Sequence, residues 1–198
     1  MTPLTPSSDL ELSPSLRLGE GRRRYFDAWG FGDGGYDDRW VVLSKLGSVP
    51  LLVFPNTKAR VRSVRLHDLH HVLTGYRADW TGEAEIAAWE LAAGCADHGA
   101  AWALNLLALA YGVVIAPRRV LAAWARGRRS SSLYREVREW DEALLSRTIG
   151  EMRARLGLDR DASAPTASDV LGLSVAASLG WALALAVPAA IAALFQAL

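Results

Sequence analysis

The chain has 198 residues, 51% of them hydrophobic, and its charges nearly cancel at a formal +1. That length suffices for one domain with a real core, while the near-neutral balance argues against bulk electrostatic binding of nucleic acid, which needs a clear positive excess. A single cysteine, Cys95, excludes an internal disulfide and a cysteine-built zinc site, and is expected to be a small buried helix residue.

In chain order, residues 1–20 carry Pro3, Pro6 and Pro14 among serines and read as a flexible tail. The opening run has no apolar stretch of signal length, so the binding part is expected on the cytoplasmic side. Trp29 to Tyr36, rich in glycine and aromatics, reads as an irregular loop. Two β-prone runs, 39–43 and 49–54, flank the turn-like Lys45-Leu-Gly-Ser48 and predict a small hairpin, with Pro50 confined to an edge or a strand start.

Asn56-Thr57 offers an N-cap for a helix running to about Leu73, with Gly75 as its stop. Thr81 is the expected cap of a second helix that extends toward Gly94. So short a connection predicts that the two pack antiparallel. Two uncharged runs follow, Gly99 to Pro117 and Val170 to Leu198; the first approaches spanning length and the second exceeds it. Between them, residues 133–158 are charged with apolar residues at helical spacing, and residues 159–169 read as a linker. The expected fold class is therefore mainly α: a helical domain over residues 21–158 with a short hairpin near its start, and a hydrophobic C-terminal helix or helix pair over residues 170–198.

The residues that carry chemistry are His67-Asp68-Leu69-His70-His71 and, further on, Glu83. His67 and His71 are four apart, so on a helix they project from one face a turn apart and can share one metal ion. Glu83, in the first turn of the next helix, folds back toward them if the hairpin closes. Two histidines and a carboxylate leave coordination positions open, which suits catalysis or substrate capture. Asp68 points about 100° away from His67; it reads as a partner that orients an imidazole, or as a proton-transfer group. His70 is a weaker candidate ligand, a His67–His70 pairing is the alternative, and Glu85 and Glu90 could replace or support Glu83.

Two apolar features point to a membrane. Ala100 to Ala116 is apolar all round and expected to be buried or lipid-bathed. Arg118, Arg119, Arg126, Arg128 and Arg129 cluster around Trp124, a pattern that suits an anionic headgroup layer. Val170 to Leu198 would then be a tail anchor, or a pair of docked helices divided at Gly180 or Pro188.

His67-Asp68-x-x-His71 followed by eleven residues and Glu83 resembles the HDxxH-x11-E motif of the fourth coenzyme Q biosynthesis protein family. The words HDLHHVLTGY and GEAEIAAWELAAG are similar to that family's helical hairpin. The resemblance covers Arg60 to Ala96 well, is weaker through Arg129 and is absent at both ends. It implies a helical, peripherally membrane-associated protein of ubiquinone biosynthesis. His67, His71 and Glu83 would be ligands of a divalent metal (usually zinc, with iron an alternative), and Asp68 a ligand or an outer partner. It also implies a prenylated aromatic precursor as ligand, and either a scaffolding role in the quinone-biosynthesis complex or oxidative removal of the ring carboxyl. A homo-oligomer is compatible with the sequence. A non-catalytic lipid-binding scaffold with a structural ion is the second expectation. A metal-dependent phosphohydrolase is poorly supplied, since His98 is the sole remaining histidine.

Overall fold

The computed structural model describes residues 10–46, 49–137, 140–160 and 164–197. As expected, the chain is mainly helical. Helix α1 spans Leu18–Trp29 and is followed by an antiparallel pair, β1 (Trp40–Leu46) and β2 (Val49–Pro55), with Trp40 opposite Pro55 and Val42 opposite Val53. Then come α2 (Lys58–Thr74), α3 (Trp80–Ala93), α4 (Gly99–Ile115) and α5 (Pro117–Gly127). The stretch expected to be one charged helical region breaks into three short helices, α6 (Leu133–Glu136), α7 (Glu142–Ser146) and α8 (Ile149–Leu156), before the long α9 (Ala167–Ala197).

The signals at the ends of α2 work as read. Thr57 accepts the N–H of Arg60, and Gly75 closes the helix at φ 80°, a left-handed conformation open to glycine at little cost. The orphan carbonyls of its last turn are taken by two guanidiniums, Arg126 on Thr74 at 2.9 Å and Arg153 on Leu73 at 2.8 Å. The cap of α3 is Asp79, whose carboxylate accepts from Gly82 N–H, two residues earlier than the expected Thr81. A carboxylate at that position also favours the positive end of the helix.

Helix α3 is the centre of the fold. It is apolar nearly all round, and Ile86, Trp89, Leu91 and their neighbours are buried, as such a helix requires. It packs most closely against α5 on one side and α4 on another. Gly112 of α4 passes so near α3 that an added Cβ would stand 2.6 Å from the Ala84 methyl.

Three expectations are corrected. Residues 10–20 are not a tail: Leu12 and Leu18 are buried, and the segment pairs with the start of α8. Leu18 N–H donates to the Arg147 carbonyl, Ile149 N–H to Leu16 and Gly150 N–H to Pro14, each at 2.8 Å. Pro14 fits because its carbonyl is the bonding group and it has no N–H to satisfy. The part of the expected tail at residues 1–9 lies outside the described residues.

Of the two readings of the C-terminal apolar segment, the single helix is the one seen, continuous through Gly180 and Pro188. It lies along α4 and touches α5. At Gly180 an added Cβ would meet the Leu106 carbonyl oxygen at 2.2 Å, so this glycine permits close helix contact and does not break the helix. The expected linker stops at Thr166, whose N–H and hydroxyl both bond the Asp169 carboxylate at 2.8 Å. Buried Asp169 in turn accepts from Arg129 at 3.0 Å.

Of the clustered arginines, Arg118, Arg119 and Arg128 are exposed, but three of the five bond specific partners in the fold. Arg119 holds Glu85 through two bonds of 3.0 and 2.6 Å, Arg126 caps α2 and Arg129 ties α5 to α9. Trp124 is buried under Gly172 and does not stand at a surface.

Candidate metal centre

Helices α2 and α3 run antiparallel, because their paired side chains occur in opposite order: His67 meets Glu90 and His71 meets Glu83, while Arg62, earlier in α2, meets Asp97 of the turn after α3. One face of α2 carries His67, and His71 lies one turn on. His67 Nε2 and His71 Nε2 are 3.1 Å apart, and each stands 3.4 Å from an oxygen of Glu83. Among the described residues these three form the group able to hold a metal ion, with one ligand atom from each all within 4.8 Å of one another.

The hydrogen-bond partners fix which nitrogens carry protons. His71 Nδ1 faces the Tyr76 carbonyl at 3.0 Å. A carbonyl only accepts, so that nitrogen is N–H and the Nε2 of the neutral ring is a bare lone pair. His67 Nδ1 faces Glu90 Oε1 at 2.9 Å, with the same consequence. Two lone pairs and a carboxylate thus converge on one point, an arrangement that repels itself unless a proton or a cation fills it. Two nitrogens bound to one tetrahedral zinc at about 2.0–2.1 Å would lie roughly 3.3–3.4 Å apart, close to the separation seen. Each ligating ring also has an acceptor behind it on Nδ1, the arrangement typical of metal-bound histidine. The residues fit a divalent ion.

Charge follows the same geometry. Burial disfavours the imidazolium of His67, but the Glu90 and Glu83 carboxylates outweigh it and raise its pKa well above the usual histidine value. Burial likewise opposes ionisation of Glu83, yet His71 and His67 hold its carboxyl well below the usual range.

His70 is not a ligand. Its Nε2 accepts the Leu133 N–H at 2.8 Å and its Nδ1 donates to Glu90 at 2.6 Å. Burial lowers its pKa, so the ring is neutral and both nitrogens are occupied. Asp68 also stands outside the group: its carboxylate accepts the hydroxyl of Tyr36 from the loop before β1. Burial, offset in part by His67, raises its pKa. The structure thus supports Asp68 as a fold-securing residue and does not bring it to the ligand atoms. Glu85 belongs to Arg119, and His98 lies against Ser63 and Tyr134.

Glu90 was legible only as a nearby carboxylate, although it sits seven residues, two helical turns, after Glu83 on the same face of α3. That spacing was the available signal. Tyr25 of α1, which stacks on the His71 ring with centroids 5.4 Å apart, had no signal in the sequence, since nothing local links α1 to α2.

Glu83 is the exposed member of the group, with 37% of its side chain accessible, so the centre opens on its side. Next to it stand the exposed Trp80 and, edge-on at 5.7 Å, Tyr111 of α4. A cleft of about 610 Å³ adjoins the His71 side, lined by Tyr25, Trp29, Tyr76, Arg77 and Arg119 among others.

Compared with known proteins, the chain matches no family model, no curated protein and no solved structure.

Proposed function

We propose that this chain is a metal-dependent, membrane-associated protein of prenyl-quinone metabolism, with the ubiquinone pathway as its place and a prenylated aromatic precursor as its ligand. The observation that carries the metal part is the convergence of the His67 and His71 Nε2 atoms, each on a ring anchored through Nδ1, on the Glu83 carboxylate. Zinc suits the mixed nitrogen and oxygen donor set, with iron the alternative. When bound, the ion would supply a Lewis acid able to engage the carboxylate of an aromatic acid.

The chain's own residues supply the rest. Glu90 and the Tyr76 carbonyl orient the two rings, while Tyr25 covers His71 and excludes water from that side. The support for a greasy ligand is the stripe of α4 beside Glu83, where Leu104, Leu107, Val114 and Ile115 are exposed around Tyr111. The support for a membrane is wider. The described residues hold one helix segment long and apolar enough to cross a bilayer, Ala167–Ala186. Its outer face exposes Val170, Leu171, Val175, Leu179, Trp181 and Leu185. Because that helix is docked along α4, the two together present an uncharged layer, and α9 anchors the protein as part of the domain and not as a loose tail.

Metal analysis of the purified protein, with mass spectrometry of lipid extracted from it, tests the reading. A divalent metal near one per chain and a prenylated aromatic acid support it. In a deletion strain the head-group intermediate should accumulate and finished quinone fall. An unchanged profile rejects the pathway, and metal without lipid in a chain that unfolds on chelation points instead to a scaffold with a structural ion.

A further inference from the structure

We propose that Glu90 is a positioning residue of the metal centre: by accepting the Nδ1 proton of His67 it aims the opposite nitrogen at the ion. This rests on the metal reading of His67, His71 and Glu83.

The carboxylate is held from every side. Oε1 accepts His67 Nδ1 at 2.9 Å and His70 Nδ1 at 2.6 Å, and Oε2 accepts Asn105 Nδ2 at 2.6 Å. The hydroxyl of Tyr134 stands 3.1 Å from the same Oε2, with the Ser63 carbonyl as its other neighbour at 3.3 Å. His70 cannot turn to release its bond, because its far nitrogen is engaged by the Leu133 N–H. Glu90 is fully buried, so water cannot take over any of these contacts. A carboxylate so pinned gives the His67 ring one orientation, with Nδ1 kept as the donor, before any ion arrives.

Glu90→Gln tests this, since the amide oxygen can keep both histidine bonds and Asn105 can turn its own oxygen toward the new amide. Zinc affinity is measured by chelator competition on full-length wild type and variant. Imidazole nitrogen NMR reports the His67 tautomer in both. The expected result is an affinity about 10–100-fold weaker and a His67 Nδ1 proton that exchanges faster. Tyr134→Phe leaves the His67 bond in place and is expected to lose far less affinity. Zinc binding by Glu90→Gln equal to wild type, or a loss just as large in Tyr134→Phe, overturns the positioning role. Failure of the wild type to bind zinc or any other divalent ion would instead overturn the metal reading itself.

Discussion

His67 and His71 hold their Nε2 atoms 3.1 Å apart while their Nδ1 atoms are committed elsewhere, to Glu90 and to the Tyr76 carbonyl. The pair therefore faces inward through the nitrogens that take up either a proton or a metal. Replacing His71 with Ala, or Glu83 with Gln, removes a converging donor. Either change should weaken divalent metal binding by more than the roughly 100-fold that marks the loss of an outer partner. Asp68→Asn should leave affinity within a few-fold of wild type, because its carboxylate faces Tyr36, and should instead lower the melting temperature. Equilibrium dialysis with circular dichroism separates the two effects; a metal-free Asp68→Asn protein of normal melting temperature would return Asp68 to the ligand set.

Protons and metal compete for the same nitrogens. In the metal-free protein the folded pKa of His67 lies well above its usual value, so the protonated ring contributes stability that is full below about pH 6.5 and is lost as pH rises through the folded value. The depressed carboxyls of Glu83 and Glu90 are the same attractions seen from the acid side, and their contribution disappears as pH falls through the acidic range. Metal replaces the His67 proton, so the rise in melting temperature produced by saturating zinc should grow from pH 5.5 to pH 8. Calorimetry across that range checks it, and an increment that shrinks with pH would contradict the ligand assignment.

Close contact at Gly180 is what lets α9 lie on α4. Gly180→Leu drives a side chain into the Leu106 carbonyl, which an added Cβ alone would already meet at 2.2 Å, and should cost about 1–3 kcal/mol. Ser178→Leu, on the exposed side of the same helix, should be nearly neutral. Equal melting temperatures for the two variants would mean that α9 is not docked in solution.

The exposed faces of α4 and α9 should set membrane affinity. Leu171→Lys with Leu179→Lys places two charges on positions 68% and 56% exposed, where folding is little affected. Flotation with liposomes should fall sharply, and high salt should not restore the soluble fraction of wild type, since the contact is apolar. Undiminished flotation of the double variant would show that another surface carries the attachment.

The local parts of the centre were legible in the sequence. Thr57 and Gly75 bound α2, the His67–His71 spacing puts two rings on one side of it, and a short connection returns Glu83 to meet them. What could not be read depends on contacts between distant segments. The Tyr36–Asp68 bond joins a glycine-rich loop to the middle of a helix, and Tyr25 reaches His71 from another helix altogether. The arginines misled for a related reason. Their clustering in sequence suggested one charged surface, whereas Arg119, Arg126 and Arg129 each bond a different partner once α5 packs against α3, α4 and α9. Docking of the C-terminal segment was left open beside an anchor because a helix made of alanine, leucine and glycine satisfies a bilayer and a neighbouring helix equally well.

The pairing of residues 14–18 with residues 147–150 closes a long stretch of chain that contains α2 and α3. Tyr25 rides on α1, directly after that pairing, so the ring that covers His71 is held from a segment remote in sequence as well as by α2. A substitution near Thr148 can therefore disturb the cover of the centre without touching any of its three converging side chains.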